Sequence, residues 1–180
     1  PGGTDVLRAV KAMAILGTVS YDPNARPAIM GSPEDVLPRI EELVSLADVV
    51  KASDEDIAWL YGEGADLETV LRSWLEKGAA VVVVTRGKQG ALALSASGVR
   101  LEVSADPNVV VADTVGAGDS FMGGLEDALW SEDLVGADRR EALRAVDAAT
   151  LERIVRHAAA IADITVSRAG ANPPTRDELP

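Results

Sequence analysis

The sequence predicts an α/β fold with a mostly parallel sheet covered on both faces, on three observations. Helical and strand-like hydrophobic patterns alternate along the chain. The run Ala80-Val81-Val82-Val83-Val84-Thr85 is apolar almost throughout, as suits a parallel strand packed on both faces. The small-residue stretch Asp113-Thr114-Val115-Gly116-Ala117-Gly118-Asp119-Ser120 separates an apolar run from a helical pattern, so it reads as a strand-to-helix turn.

Each element follows from local signals. Residues 4–16 read as a helix with Asp5 in its first turn. Residues 18–21 read as a strand, ended by the loop Asp22-Pro23-Asn24-Ala25-Arg26-Pro27. Ser32 is a suitable N-cap, with Pro33 at the first helical position and Glu34 and Asp35 in the first turn. Leu37, Ile40, Leu43, Val44 and Ala47 form the buried stripe of that helix. Residues 48–51 read as a short strand, and 54–61 and 67–77 as helices, the second stopped by Gly78. Residues 80–85 are the central strand, and 91–94 and 99–103 form a hairpin around Ser97-Gly98. Val109-Val110-Val111-Ala112 reads as a buried strand, and 121–130 as a helix. Residues 150–166 form an alanine-rich helix that leads into the loop Ser167-Arg168-Ala169-Gly170-Ala171-Asn172-Pro173-Pro174. Trp59, Trp74 and Trp130 read as helix core residues, His157 as a packing residue, and the acidic runs as solvated helix faces.

Composition narrows the function classes. At 180 residues the chain fits one domain with a real core. A net charge of -12 argues against a nucleic-acid partner, though a nucleotide needs only local positive potential. There is no cysteine, hence no disulfide and no thiolate metal site, which leans toward a cytoplasmic protein although many exported proteins also lack cysteine. No run is long and apolar enough to suggest a membrane span. The opening Pro1-Gly2-Gly3-Thr4 runs almost at once into a helical pattern, which reads as a chain beginning inside something longer, with a processed or tagged terminus as the alternative.

The turn at 113–120 carries the chemistry. The amides of a first helical turn have no intrahelical acceptor. Glycine and alanine let a phosphate approach that backbone. An acid in the same place can take a proton from a hydroxyl.

From Asp113 through Gly124 the chain resembles the C-terminal signature of the PfkB-type carbohydrate kinases of the ribokinase-like fold. Glu126 departs from that pattern, where a small or apolar residue is usual. Thr85-Arg86-Gly87-Lys88-Gln89-Gly90-Ala91 resembles the family's T-x-G-x-x-G-A turn, and Ser167-Arg168-Ala169-Gly170-Ala171 its terminal V-T-R-x-G-A segment. Asp22 to Pro27 and Lys51-Ala52-Ser53-Asp54-Glu55-Asp56 are similar to the fructokinase-like branch. The resemblance implies a three-layer α/β/α sandwich of which residues 1–180 form the C-terminal nucleotide-binding and catalytic portion. The N-terminal part, with a glycine-rich sugar motif and a β lid, is expected to be missing.

The resemblance also implies roles. Asp119 would be the catalytic base, and Gly116, Ala117 and Gly118 the anion hole. Asp113 and the Val115 carbonyl would help bind a monovalent cation such as K+, a strand-end acid bonding its own turn being the alternative for Asp113. Ser53 and Asp56 stand where relatives carry an N-x-x-E motif that places magnesium and phosphate, yet Ser-x-x-Asp is also close to a helix capping box. Lys51 would reach a phosphate or end a strand in solvent. Thr85 and Gly87 would contact the nucleotide, with a plain β-turn as the alternative. Ala159, Gly170 and Ala171 would lie around the adenine, or serve only packing and a terminal turn. Asn24 and Arg26 would face the substrate, or belong to a surface loop held by its own polar groups. The expected protein is an ATP- and Mg2+-dependent sugar kinase, fructose the first candidate, whose partners are sugar and ATP and whose full-length form pairs as a homodimer. A phosphate- or nucleotide-binding piece without turnover is the rival, and another small acceptor such as ribose, 2-keto-3-deoxygluconate or a nucleoside the variant reading.

Overall fold

A computed structural model describes residues 2–179, so Pro1 and its reading as a chain start lie outside the described residues. In order, the elements are α1 (Gly2–Leu16), β1 (Ser20–Tyr21), α2 (Pro27–Met30), α3 (Pro33–Val44), β2 (Val49–Ser53), α4 (Asp54–Tyr61), α5 (Leu67–Lys77), β3 (Val81–Thr85), β4 (Ala91–Ser95), β5 (Arg100–Val103), α6 (Ala117–Ser131), α7 (Arg140–Arg144) and α8 (Ala148–Val166). Side-chain caps fix several helix starts. Ser32 Oγ accepts from the Asp35 amide, Asp66 Oδ1 from Thr69 and Asp147 Oδ1 from Thr150.

The five strands lie in chain order, β1-β2-β3-β4-β5. β1, β2 and β3 are parallel, whereas β4 and β5 return antiparallel as the expected hairpin. The sheet is therefore mixed, its parallel half joined by helical crossovers.

Strand alternation divides the core in two. Val81 and Val83 of β3, and Ala91 and Ala93 of β4, face one cluster with Phe121, Leu125, Ile154 and Ala158 of α6 and α8. Val82, Val84, Leu92 and Leu94 face the other, with Ile40, Val44, Ile57, Leu71 and Trp74 of α3, α4 and α5. This is the α/β/α sandwich. On the first face α6 and α8 touch almost backbone to backbone. A Cβ added to Gly124 would lie 2.7 Å from the Ala158 Cα, so only glycine fits there.

Two sequence expectations fail. Residues 109–112 are not a strand, and Val110 is 79% exposed. The amides of Ala112 and Asp113 donate to the Val166 carbonyl at the end of α8, so the run is spent capping a helix and joins no ladder. Trp130 is 73% exposed on the outer face of α6, whereas Trp74 is fully buried. His157 is half-buried, and its Nε2 lies 2.9 Å from Asp127 of α6, a polar contact in addition to packing.

Candidate active site

β1, β2 and β3 end on one edge of the sheet because they are parallel, and the candidate residues collect there. β1 runs into the Asp22 loop, and the register sets Ser53 of β2 beside Thr85 of β3. Ligands of open α/β sheets gather at this carboxyl edge. The start of α6 reaches the same place. The Lys51 ammonium lies 2.8 Å from where a Gly118 Cβ would stand.

The turn into α6 is built for an open helix end. Gly116 is the N-cap at φ 78, a left-handed conformation that glycine adopts freely, and no side chain caps the helix. The Ala117 amide is spent on the Thr114 carbonyl at 3.2 Å, and the Ser120 amide on Gly116 at 2.8 Å. The Gly118 and Asp119 amides between them belong to the first turn, where donors have no intrahelical acceptor. Asp119 is exposed. It lines an open cleft of about 490 Å³ with Gly116, Gly123, Ile161, Ala171 and Pro173, within the size range of small-molecule sites.

Lys51 is the cation beside Gly118, its side chain only 4% exposed. Its Nζ donates to Asp22 Oδ2 at 2.8 Å. Burial pushes the Asp22 carboxyl above the usual range, and the Lys51 charge beside it opposes that shift. Asp22 Oδ1 also accepts from the Asn24 amide at 3.0 Å.

Asp113 joins the two loops at the back of the turn. Its Oδ1 accepts from the Val115 amide at 3.0 Å and its Oδ2 from Gly170 at 2.9 Å. These bonds, the Val115 one first, hold its carboxyl below the usual range. Gly116 and Ala171 are drawn into contact, since a Cβ on Gly116 would meet the Ala171 Cβ at 2.9 Å. The carboxylate thus bridges the turn before α6 to the loop after α8.

Asp56 does not fit a direct magnesium ligand. It is 8% exposed, and its two oxygens accept from the amides of Ser53 and Ala25 at 2.9 and 2.8 Å. Ser53 Oγ accepts from the Asp56 amide in return, which completes a capping box. The Asp22 loop is likewise held by its own groups. Asn24 stands at φ 43, and the Arg26 guanidinium donates to the carbonyls of Asn24 and Ala25. Thr85 Oγ1 is 3.4 Å from the Ala52 carbonyl, and Gly87 opens a short 3-10 turn. Ala159 packs against the α6–α8 core instead of lining the cleft with Asp119.

The structure thus brings Gly116, Gly118, Asp119, Lys51, Asp113, Gly170 and Ala171 into one neighbourhood. Sequence reasoning did not single out Asp22, Gly123 or Pro173. Asp22 carried a signal in retrospect, an acid directly after a strand whose neighbour in the sheet carries a lone lysine in an apolar run.

Comparison with known proteins bears on this arrangement. The pfkB family carbohydrate kinase profile matches residues 2–178. The chain belongs to the PfkB family of carbohydrate kinases. This PfkB chain is 34% identical over 178 residues to the probable fructokinase-4 of Arabidopsis thaliana, covering 96% of the chain and 51% of that protein. It is 36% identical over 117 residues to a fructokinase of Rhizobium leguminosarum bv. trifolii, covering 65% and 35% respectively. Among solved structures, the ATP-bound fructokinase of Xylella fastidiosa superposes with a TM-score of 0.80 at 28% identity, over 94% of this chain and 52% of that one. The Vibrio cholerae O395 fructokinase double mutant, bound to fructose, ADP and potassium, gives 0.74 at 29% identity, over 93% and 50%. The fold is therefore ribokinase-like and the kinship fructokinase-like. The PfkB chain spans about half the length of the relatives it matches.

Proposed function

We propose that this chain carries the nucleotide-binding and proton-accepting half of an ATP-dependent sugar kinase, with fructose as the acceptor. One observation carries the reading: an uncapped, glycine-opened helix start beside an exposed acid and against a buried ammonium. Phosphoryl transfer asks the protein mainly for positioning and charge stabilisation. The amides of Gly118 and Asp119 would take the charge that develops on the transferring group, with Gly116 and Ala117 shaping the turn. Asp119 would accept the proton of the sugar hydroxyl.

Thr85, Gly87 and Ser53 at the strand ends would flank the nucleotide, and Gly170 and Ala171 would close its far side. Asn24 and Arg26 would face the sugar once the loop opens its own contacts. Magnesium, when bound with the nucleotide, would neutralise phosphate charge; Asp56 shapes the loop around it and is no direct ligand. Asp113 and the Val115 carbonyl would hold a monovalent cation behind the turn. The whole protein would act in the cytoplasm; among the described residues no helix is long and apolar enough to cross a membrane. The 180-residue chain alone is expected to transfer little or no phosphate, since the relatives are twice as long.

The decisive substitution is Asp119→Asn in the whole protein. Fructose-dependent ADP formation should fall about 10²–10⁴-fold in kcat, with the KM for ATP little changed. An unaltered kcat would remove the base assignment. A whole protein that binds ATP but turns over no sugar would favour the binding-only alternative.

A further inference from the structure

The Asp22–Lys51 pair is a buried charge system that the roles above do not explain. An ammonium with 4% exposure is costly, and a buried pair is a weak source of stability, so its value lies in where it points. It points at the turn. Lys51 sits on the β2 face that looks toward α6, and among the described residues outside the helix itself its Nζ alone lies within 4 Å of a Cβ placed on Gly118. The carboxylate partner is therefore farther from the turn than the ammonium is. The pair presents its positive end to the first-turn amides of α6, adding to their own partial positive charge. Lysine has three donors, and the bond to Asp22 uses one.

We propose that Asp22 is a positioning residue for the anion hole: its carboxylate keeps the Lys51 ammonium charged and fixed beneath Gly118, so that the turn accepts a multiply charged anion. The inference rests on the reading of 116–119 as an anion-binding turn. Its logic is that of desolvation. A buried amine without a counter-ion gives up its proton far more readily than one in water. Other charges around the pair do not replace Asp22. Asp56 acts on Asp22 from the start of α4, Tyr21 of β1 adjoins it, and Asp119 follows Gly118 on α6. Of these carboxylates, Asp56 is committed to the Ser53 and Ala25 amides. Asp22 is thus the carboxylate that Lys51 touches.

Sulfate, which does not titrate near neutrality, and a non-hydrolysable ATP analogue are suitable probes. Their binding to the whole protein can be followed by isothermal titration calorimetry from pH 6 to 9. The wild-type affinity for sulfate should change little across that range. In Asp22→Asn the affinity should fall about tenfold or more toward pH 9 while surviving at pH 6, because the unpaired Lys51 loses its proton. The double variant Asp22→Asn, Lys51→Arg should restore the flat profile, since guanidinium stays protonated. Melting curves confirm that each variant is folded. An Asp22→Asn profile as flat as wild type overturns the proposal. So does a loss that Lys51→Arg fails to repair. Sulfate binding that depends on Asp22 without any binding of the ATP analogue upholds this inference and sinks the kinase reading. A protein that binds neither probe overturns both.

Discussion

At the scale of single residues, close backbone approach decides more than side-chain chemistry. Gly90 shows this most sharply. It stands at φ 84, and a Cβ there would lie 1.9 Å from the Val103 carbonyl oxygen. Gly90→Ala should cost well above the usual 1 kcal/mol or so of a point mutation, read as a drop in the urea midpoint. Gly124→Ala meets the Ala158 Cα at 2.7 Å and should cost about 1–3 kcal/mol as the two helices are pushed apart. Both glycines belong to motifs visible in the sequence. What the sequence could not say is that Gly124 serves helix packing while Gly116 serves the turn, because the two differ only in what lies opposite them. Asp56 is similar. Its spacing from Ser53 fitted a capping box and a phosphate motif equally, and only the Ala25 amide across the edge of the sheet shows how fully its oxygens are engaged.

At the scale of elements, helices were legible to within a residue or two wherever a cap marked them, as at Ser32, Ser53 and Gly78. The failures came from apolar segments whose partner is not another strand. Val109 to Ala112 has strand composition, but its first amide turns back to Asp106 and its last serves the end of α8. Trp130 fits the helical period yet falls outside the stripe that α8 covers. The segment after α8 was read as a loop with Gly170 and Ala171 near the adenine, and it also proves to be clamped by its own ion pairs beside the cleft. Glu178 accepts from the Thr175 amide and from the Arg168 guanidinium, and Arg176 pairs with Asp127 of α6. The Thr175 amide first, then Arg168, holds the Glu178 carboxyl down to about 2 from the ordinary 4.5. A depressed carboxyl lends order that is complete above its unfolded value and is lost as pH falls through the folded one. Amide protection factors in residues 170–179 should therefore fall between pH 4.5 and about 2, ahead of the sheet, and Glu178→Gln should show the lower protection already at neutral pH.

At the scale of the whole molecule, Arg140 ties α7, the start of β2 and the end of α1 together. Its guanidinium meets Asp48 beside β2 at 2.5 Å and donates to the carbonyls of Ala14 and Gly17 at the end of α1. Arg140→Ala leaves Asp48, 6% exposed, without its cation and should cost about 2–3 kcal/mol, with α1 the first region to gain proteolytic sensitivity. No sequence pattern announces such a contact, since Arg140 and Asp48 are 92 residues apart. The sandwich itself was legible because its causes are periodic and local, whereas the ties between layers are made by single side chains at long range. The same distinction governs how a ligand arrives. The protein carries a net charge of -12, and the cation under its anion turn is buried and paired, so at a distance the net field that an approaching anion meets is repulsive. Lys51 can act only after contact. Added salt, by screening the outer field over a Debye length of roughly 10 Å, should hasten anion association, opposite to the behaviour of basic, steered sites. Residence time, not capture, would then set the affinity of this turn.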